Sequence, residues 1–123
     1  MFEFTEEYEP LLRSVKESAE KVVKPRARDI EESDEFPFDM ANHFFKEGYL
    51  QVLIPAELGG MGRDITSLCI IVEEIAKVSA SMSLLVIVQT VGTLPLLLSG
   101  NDFQIIKESL EKYGLGGDWS EYV

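Results

Sequence analysis

The sequence contains one cysteine, Cys69, and one histidine, His43. A single thiol excludes an internal disulfide, and the missing Cys/His cluster leaves no zinc-ligand spacing, so no metal is expected. Any mechanism that needs two histidines is excluded within one chain. Basic residues are also scarce. Eleven Lys and Arg stand against twenty-two Asp and Glu, for a formal net charge of −11. Phosphate recognition needs clustered Lys and Arg, so nucleic acid is not an expected partner. Neither is an anionic membrane surface. Long hydrophobic runs are missing too. The most apolar stretch, 82–98, is interrupted by Ser83, Gln89, Thr90, Gly92, Thr93 and Pro95, whereas a membrane-spanning helix needs about 20 mostly apolar residues. The N-terminus is acidic, with no basic region and no apolar core, so no signal peptide is expected. A cytoplasmic chain with a reduced core thiol at Cys69 is the resulting expectation.

What is present is enough apolar material for one domain: 46% of 123 residues. Strand signals are weak and helical spacing recurs, so the pattern predicts an all-α chain. Leu11, Leu12, Val15, Ala19 and Val22 form a first stripe. Thr5 with Glu6 and Glu7 resembles a helix start, although Pro10 requires the helix to begin nearer Tyr8 or to bend. Lys24-Pro25 predicts a bend and then a short polar helix to about Ser33. A third helix begins at Asp39, turns Met40 and Phe44 inward and stops at Gly48. The stretch 49–55 is expected to be an extended connector, and 57–62 a glycine-rich loop. Asp64 caps a fourth helix, expected to bury Ile65, Leu68, Cys69, Val72, Ile75 and Ala76, with Glu73, Glu74 and Lys77 wet. A fifth helix opens at 79–81 and is apolar all round until Gln89. Pro95 is expected to separate it from a short turn, 96–99. A last helix follows 100–102, with Ile105, Ile106, Leu110 and Tyr113 as its apolar set. The domain is therefore placed at 1–113, with an irregular tail at 114–123.

Few residues carry an obvious chemistry. The glycine loop at 59–62 lacks the Lys-Ser/Thr of a phosphate loop and follows no strand, so it reads as a chain reversal. Glu73 and Glu74 are helix neighbours that do not face each other, which favours a solvated face. No Glu-x-x-His pair exists, so a di-iron carboxylate bundle is excluded. His43 has no nucleophilic partner in the sequence, and Cys69 has no basic neighbour to activate it. Gln89, Thr90 and Thr93 differ, being polar groups in the most apolar segment. Unpartnered burial costs about 1–3 kcal/mol each. They either bond within their helix or face a cavity or ligand.

Several stretches, taken together and in order, resemble the N-terminal helical domain of the acyl-CoA dehydrogenase family. They are 4–7 (Phe-Thr-Glu-Glu), 23–27 (Val-Lys-Pro-Arg-Ala), 36–37 (Phe-Pro) and 46–50 (Lys-Glu-Gly-Tyr-Leu). The most specific are 54–62 (Ile-Pro-Ala-Glu-Leu-Gly-Gly-Met-Gly) and 72–81 (Val-Glu-Glu-Ile-Ala-Lys-Val-Ser-Ala-Ser). Stretches 88–93 and 100–104 complete the order. The resemblance implies an up-and-down, bundle-like all-α domain of about six helices. It implies FAD as cofactor and an acyl-CoA thioester as substrate, lying between this domain, a barrel-like middle domain and a C-terminal bundle. It places Gln89, Thr90 and Thr93 near the wall of the acyl and flavin cavity.

The resemblance stops at the tail. After Gln104 the family continues into strands that contact the flavin, while this sequence gives 114–123 and ends. No carboxylate here matches the family's catalytic glutamate, so no catalytic residue is assigned. Dehydrogenation needs a base and the flavin on opposite faces of the acyl chain, so this chain alone is not expected to catalyse it or to hold FAD unaided. Two roles follow as expectations. One is a subunit or fragment that supplies the cavity wall to a flavoprotein partner chain in fatty acid metabolism. The other is a non-catalytic module that self-associates through its apolar surface. A truncated gene product would present the same sequence.

Overall fold

A computed structural model describes residues 5–99. They form five α-helices and, among the described residues, no strand: α1 (Glu9–Ser18), α2 (Lys24–Glu32), α3 (Phe38–Glu47), α4 (Ile65–Ala76) and α5 (Ala80–Ser99). The all-α expectation holds. The sixth helix expected after 100–102, the domain end at 113 and the tail 114–123 lie outside the described residues.

Pro10 decides where α1 begins. It occupies the first helical turn, where no N–H is needed. Upstream, 6–8 is a single 3-10 turn, closed by Tyr8 N–H donating to the Thr5 carbonyl at 3.0 Å. The expected side-chain cap at Thr5 is not made, because its hydroxyl donates to Glu7 instead. Pro25, where a bend is expected, lies at the junction of two helical segments. The helix widens to a π turn at Ala19–Val23 and re-enters α2 with Pro25 in its first turn. Proline removes one ladder bond and crowds the carbonyl four residues back. The wider turn, in which Lys24 N–H reaches the Ala19 carbonyl, makes room for it.

Gly48 ends α3 as expected, with φ +83°. Gly48 N–H donates to Phe45 at 3.0 Å and Tyr49 N–H to Phe44 at 2.9 Å, the paired closure of a Schellman end. The following stretch departs from expectation. It is a run of turns, not an extended connector, and it is central to the core: Tyr49, Leu50, Val52 and Ile54 are all buried. Its carbonyls hold the glycine loop. Met61 N–H donates to Gln51 at 3.0 Å, Gly62 N–H to Ile54 at 2.8 Å and Arg63 N–H to Val52 at 2.8 Å. Pairing with the returning loop replaces pairing in a sheet.

α4 is rotated from its expected face. Ser67, Ile70, Ile71, Glu74 and Ile75 are buried, whereas Ile65 is 66% exposed and Cys69 and Ala76 are exposed. Leu68 and Val72 are half-buried. Apolar residues occur all round this helix, so their spacing does not choose a face. Ser67 lies on the buried face, where its N–H and Oγ donate to Asp64 at 2.9 and 2.8 Å. Glu74, expected to be wet, is buried against α1 and paired with Lys77 Nζ at 2.8 Å.

α5 continues through Pro95 to Ser99, so the expected break is absent. Pro95 and Val91, four residues back, both lie on the exposed face. A carbonyl displaced by the ring can turn there toward water. α5 packs on α4 and more lightly on α3, and α4 packs on α1. Phe44, Tyr49, Ile71 and Val86 sit at the centre of the shared core.

Candidate functional site on the fifth helix

α5 has twenty residues and no charged side chain. In a chain of net charge −11 that is a local anomaly. The inward face carries Met82, Val86, Thr90 and Thr93, all buried. The outward face carries Leu84, Val88, Val91 and Leu98, the last 83% exposed. Gln89 lies between the two faces and is half-buried.

The three polar candidates are therefore adjacent, but not alike. Thr90 Oγ donates to the Val86 carbonyl at 3.2 Å, and Thr93 Oγ donates to the Gln89 carbonyl at 2.8 Å. Both hydroxyls use the local alternative, bonding one turn back in their own helix. Gln89 does not. Its Nε2 is buried and has no hydrogen-bond acceptor among the described residues. A buried amide N–H without a partner is unusual in a native fold and calls for an explanation.

The other candidates are accounted for structurally. The glycine loop offers no anion cradle, because the amides of Gly60, Met61, Gly62 and Arg63 all point at backbone carbonyls. Glu73 faces solvent while Glu74 turns to α1, so the two do not converge. The bond to Glu74 raises the Lys77 ammonium above its ordinary range. Among the described residues, no group of three His, Cys, Asp or Glu could hold a metal. No helix there is long and apolar enough to cross a membrane.

His43 is half-buried, with Nε2 3.2 Å from Ser18 Oγ. Ser18 and Ser14 each lie 3.2 Å from the Tyr49 hydroxyl. This chain of hydroxyls joins α1 to α3 and to the buried turns. It was missed in the sequence, where the signal was two serines four apart beside the apolar stripe of α1. A second link was also missed. Tyr8 OH donates to Asp64 at 2.5 Å, tying the start of α1 to the cap of α4. That bond, with the amide and hydroxyl of Ser67, holds the Asp64 carboxyl below its usual range and raises the Tyr8 phenol.

Comparison with known proteins matches residues 5–116 to the family model described as acyl-CoA dehydrogenase, N-terminal domain. A probable acyl-CoA dehydrogenase, FadE25, of Mycobacterium tuberculosis is 33% identical over the whole chain, which covers 31% of that protein. A cyclohex-1-ene-1-carbonyl-CoA dehydrogenase of Syntrophus aciditrophicus is 40% identical over 82% of the chain and 24% of its own length. An acyl-CoA dehydrogenase of Bacillus subtilis is 35% identical over 84% of the chain and 27% of its own length. The chain thus spans about a third or less of the curated relatives it matches.

Proposed function

We infer a function from one premise: the chain belongs to the acyl-CoA dehydrogenase family, as an N-terminal domain. Its role is to form the helical wall of a cavity in which a flavoenzyme dehydrogenates the α,β bond of an acyl-CoA thioester. The substrate class rests on the names of the relatives, all of which are dehydrogenases of acyl-CoA or of a cyclic carbonyl-CoA. α5 supplies the wall. Its uncharged length suits an acyl chain, excludes water and puts no carboxylate near the thioester. Gln89, Thr90 and Thr93 form the polar part of that wall.

The observation that carries this reading is the Gln89 amide, buried without an acceptor on the uncharged helix. An acceptor brought by a ligand, or by polypeptide packed around it, would satisfy that N–H. FAD is the cofactor implied by the family, but neither the glycine loop nor Arg26 is arranged to hold its pyrophosphate. The glycine loop has no free amides to offer, and the Arg26 guanidinium is already bonded to Asp39 at 2.8 Å. No flavin contact is assigned to this chain. The base and the flavin site belong to polypeptide beyond these 123 residues, acting with this domain as a subunit or as part of a longer protein.

The test is isolation from the native source with associated polypeptide intact. A yellow preparation with flavin absorbance and acyl-CoA dehydrogenase activity is expected. A colourless protein with no associated chain, and no spectral change on adding FAD and acyl-CoA, overturns the reading.

A further inference from the structure

Lys21, Lys24, Arg26, Arg28 and Lys77 each form an ion pair with a carboxylate. Among the described residues, Arg13, Lys16, Lys46 and Arg63 form none. The first three are exposed, whereas Arg63 is half-buried. A half-buried guanidinium without a carboxylate is out of place in a chain of net charge −11. Carboxylates are close at hand. Arg63 lines a pocket of about 280 Å³ with Glu7, Tyr8, Gly62, Asp64 and Ser67. Asp64 is engaged elsewhere: Oδ1 accepts from Ser67 N–H and Oγ at 2.9 and 2.8 Å, and Oδ2 from Tyr8 OH at 2.5 Å. Glu7 accepts from the Thr5 hydroxyl. The Arg63 side chain is nevertheless held at both ends. Its backbone N–H donates to the Val52 carbonyl at 2.8 Å, and its Nε to Ser67 Oγ at 3.2 Å. Ser67 is fully buried, so that anchor has little room to move. Nη1 and Nη2 have no acceptor among the described residues.

We propose that this pocket binds a small monocarboxylate, with the Arg63 guanidinium as its bidentate donor. Three arguments set the class. With Nε tied to Ser67, the two remaining nitrogens form a planar fork that matches the two coplanar oxygens of a carboxylate. One negative charge offsets the guanidinium, whereas a phosphate dianion would meet added repulsion from Glu7 and Asp64 in the same pocket. The volume lies below the roughly 300 Å³ at which sites for drug-sized ligands begin, so an acid of a few carbons fits. The N-terminus of α4 is not the donor, because its Ser67 amide is bonded to Asp64.

The experiment titrates the isotope-labelled full chain with sodium acetate and propionate, chloride keeping the ionic strength constant, and follows the amide NMR shifts. Saturable shifts at Tyr8 and at 62–67 are expected. Arg63→Gln should abolish them, and Arg63→Lys should weaken binding about tenfold, because a point charge replaces the fork. Inorganic phosphate at the same ionic strength should bind more weakly than acetate. Both Arg63 variants lose the bond to Ser67, so Glu7→Gln, which leaves that bond in place, is measured as well. It removes a repulsive charge and should bind acetate at least as tightly as the original chain. If Arg63→Gln loses native helix content, the phosphate titration and Glu7→Gln decide. Shifts that never saturate, or that persist in a folded Arg63→Gln, mean an adventitious ion only and overturn the proposal. Phosphate binding as tight as acetate overturns the carboxylate class. Weaker binding by Glu7→Gln means that the pocket recognises a cation, which overturns it too. No arm uses flavin, acyl-CoA or another polypeptide, so the proposal stands or falls separately from the function above.

Discussion

Replacing Gln89 by methionine should make the chain more stable, although it removes a polar group assigned to a functional wall. The Nε2 donor is buried with no acceptor, and such a donor carries a desolvation penalty of about 1–3 kcal/mol. Methionine keeps the length of glutamine, has no N–H and favours helix. Gln89→Met should therefore recover about 1–2 kcal/mol, the lower part of that range, because Gln89 is only half-buried as a residue. At about 4–8 °C per kcal/mol for a domain of this order, the melting temperature should rise by several degrees. Gln89→Glu should move the other way, since it places a carboxylate where no donor is waiting. The assay is urea and thermal unfolding of the three proteins side by side. A neutral or destabilised methionine variant together with a tolerated glutamate variant would show that water already satisfies the amide. The wall reading would then lose the group it is built on. In the native assembly the same methionine variant should instead lose acyl-CoA affinity, so stability and function should move in opposite directions.

Two adjacent glycines should respond differently. A Cβ on Gly60 would lie 2.1 Å from the Ile54 carbonyl oxygen, while one on Gly59 meets nothing within 4 Å and suffers only its φ of +89°. Gly59→Ala should cost about 1–2 kcal/mol, and Gly60→Ala more than 3 kcal/mol as overpacking adds to broken loop bonds. Equal urea midpoints would contradict the loop lock. The Tyr8–Asp64 link has a pH signature. Asp64 is lowered in the fold, so its contribution is complete above the ordinary Asp range near 3.8 and is lost as pH falls through the lower folded value. Tyr8 is raised, so its share is complete below 10.0 and disappears as pH rises past the folded value. Tyr8→Phe should flatten both limbs of a stability-against-pH curve, and an unchanged curve refutes the link. Cys69 should react with a thiol reagent in the native chain at nearly the rate seen in urea, because it is exposed on α4. Strong protection would restore it to the core.

The type of structure was legible in the sequence wherever chain chemistry is local. Gly48 and Asp64 mark helix ends because a left-handed φ and a side-chain cap depend on a few neighbouring atoms. The face of α4 was not legible. Ile65, Leu68, Cys69 and Val72 form as good an apolar stripe as the one buried, and which stripe packs on α1 and α5 is a tertiary matter that the local spacing does not display. The stretch from Tyr49 to Ile54 was misread because buried turns and a short strand share the same apolar composition; what separates them is the returning loop. From sequence, Lys24-Pro25 predicts a bend and Pro95 a break. A π turn absorbs the first, and exposure on the outer face tolerates the second. At the candidate site, the sequence singled out three polar residues in an apolar run. It could not sort the two that bond within their helix from the one that does not.

The lock between the turns at 51–54 and the loop at 60–63 is made wholly of main-chain atoms. Its shape therefore depends on where glycine stands and hardly at all on which side chains the loop displays. Glu57, exposed at the tip, can be exchanged for almost any residue while the backbone keeps its course. The loop is a fixed mount with an interchangeable face. Related proteins could alter what that face meets through single substitutions, without renegotiating the fold beneath it.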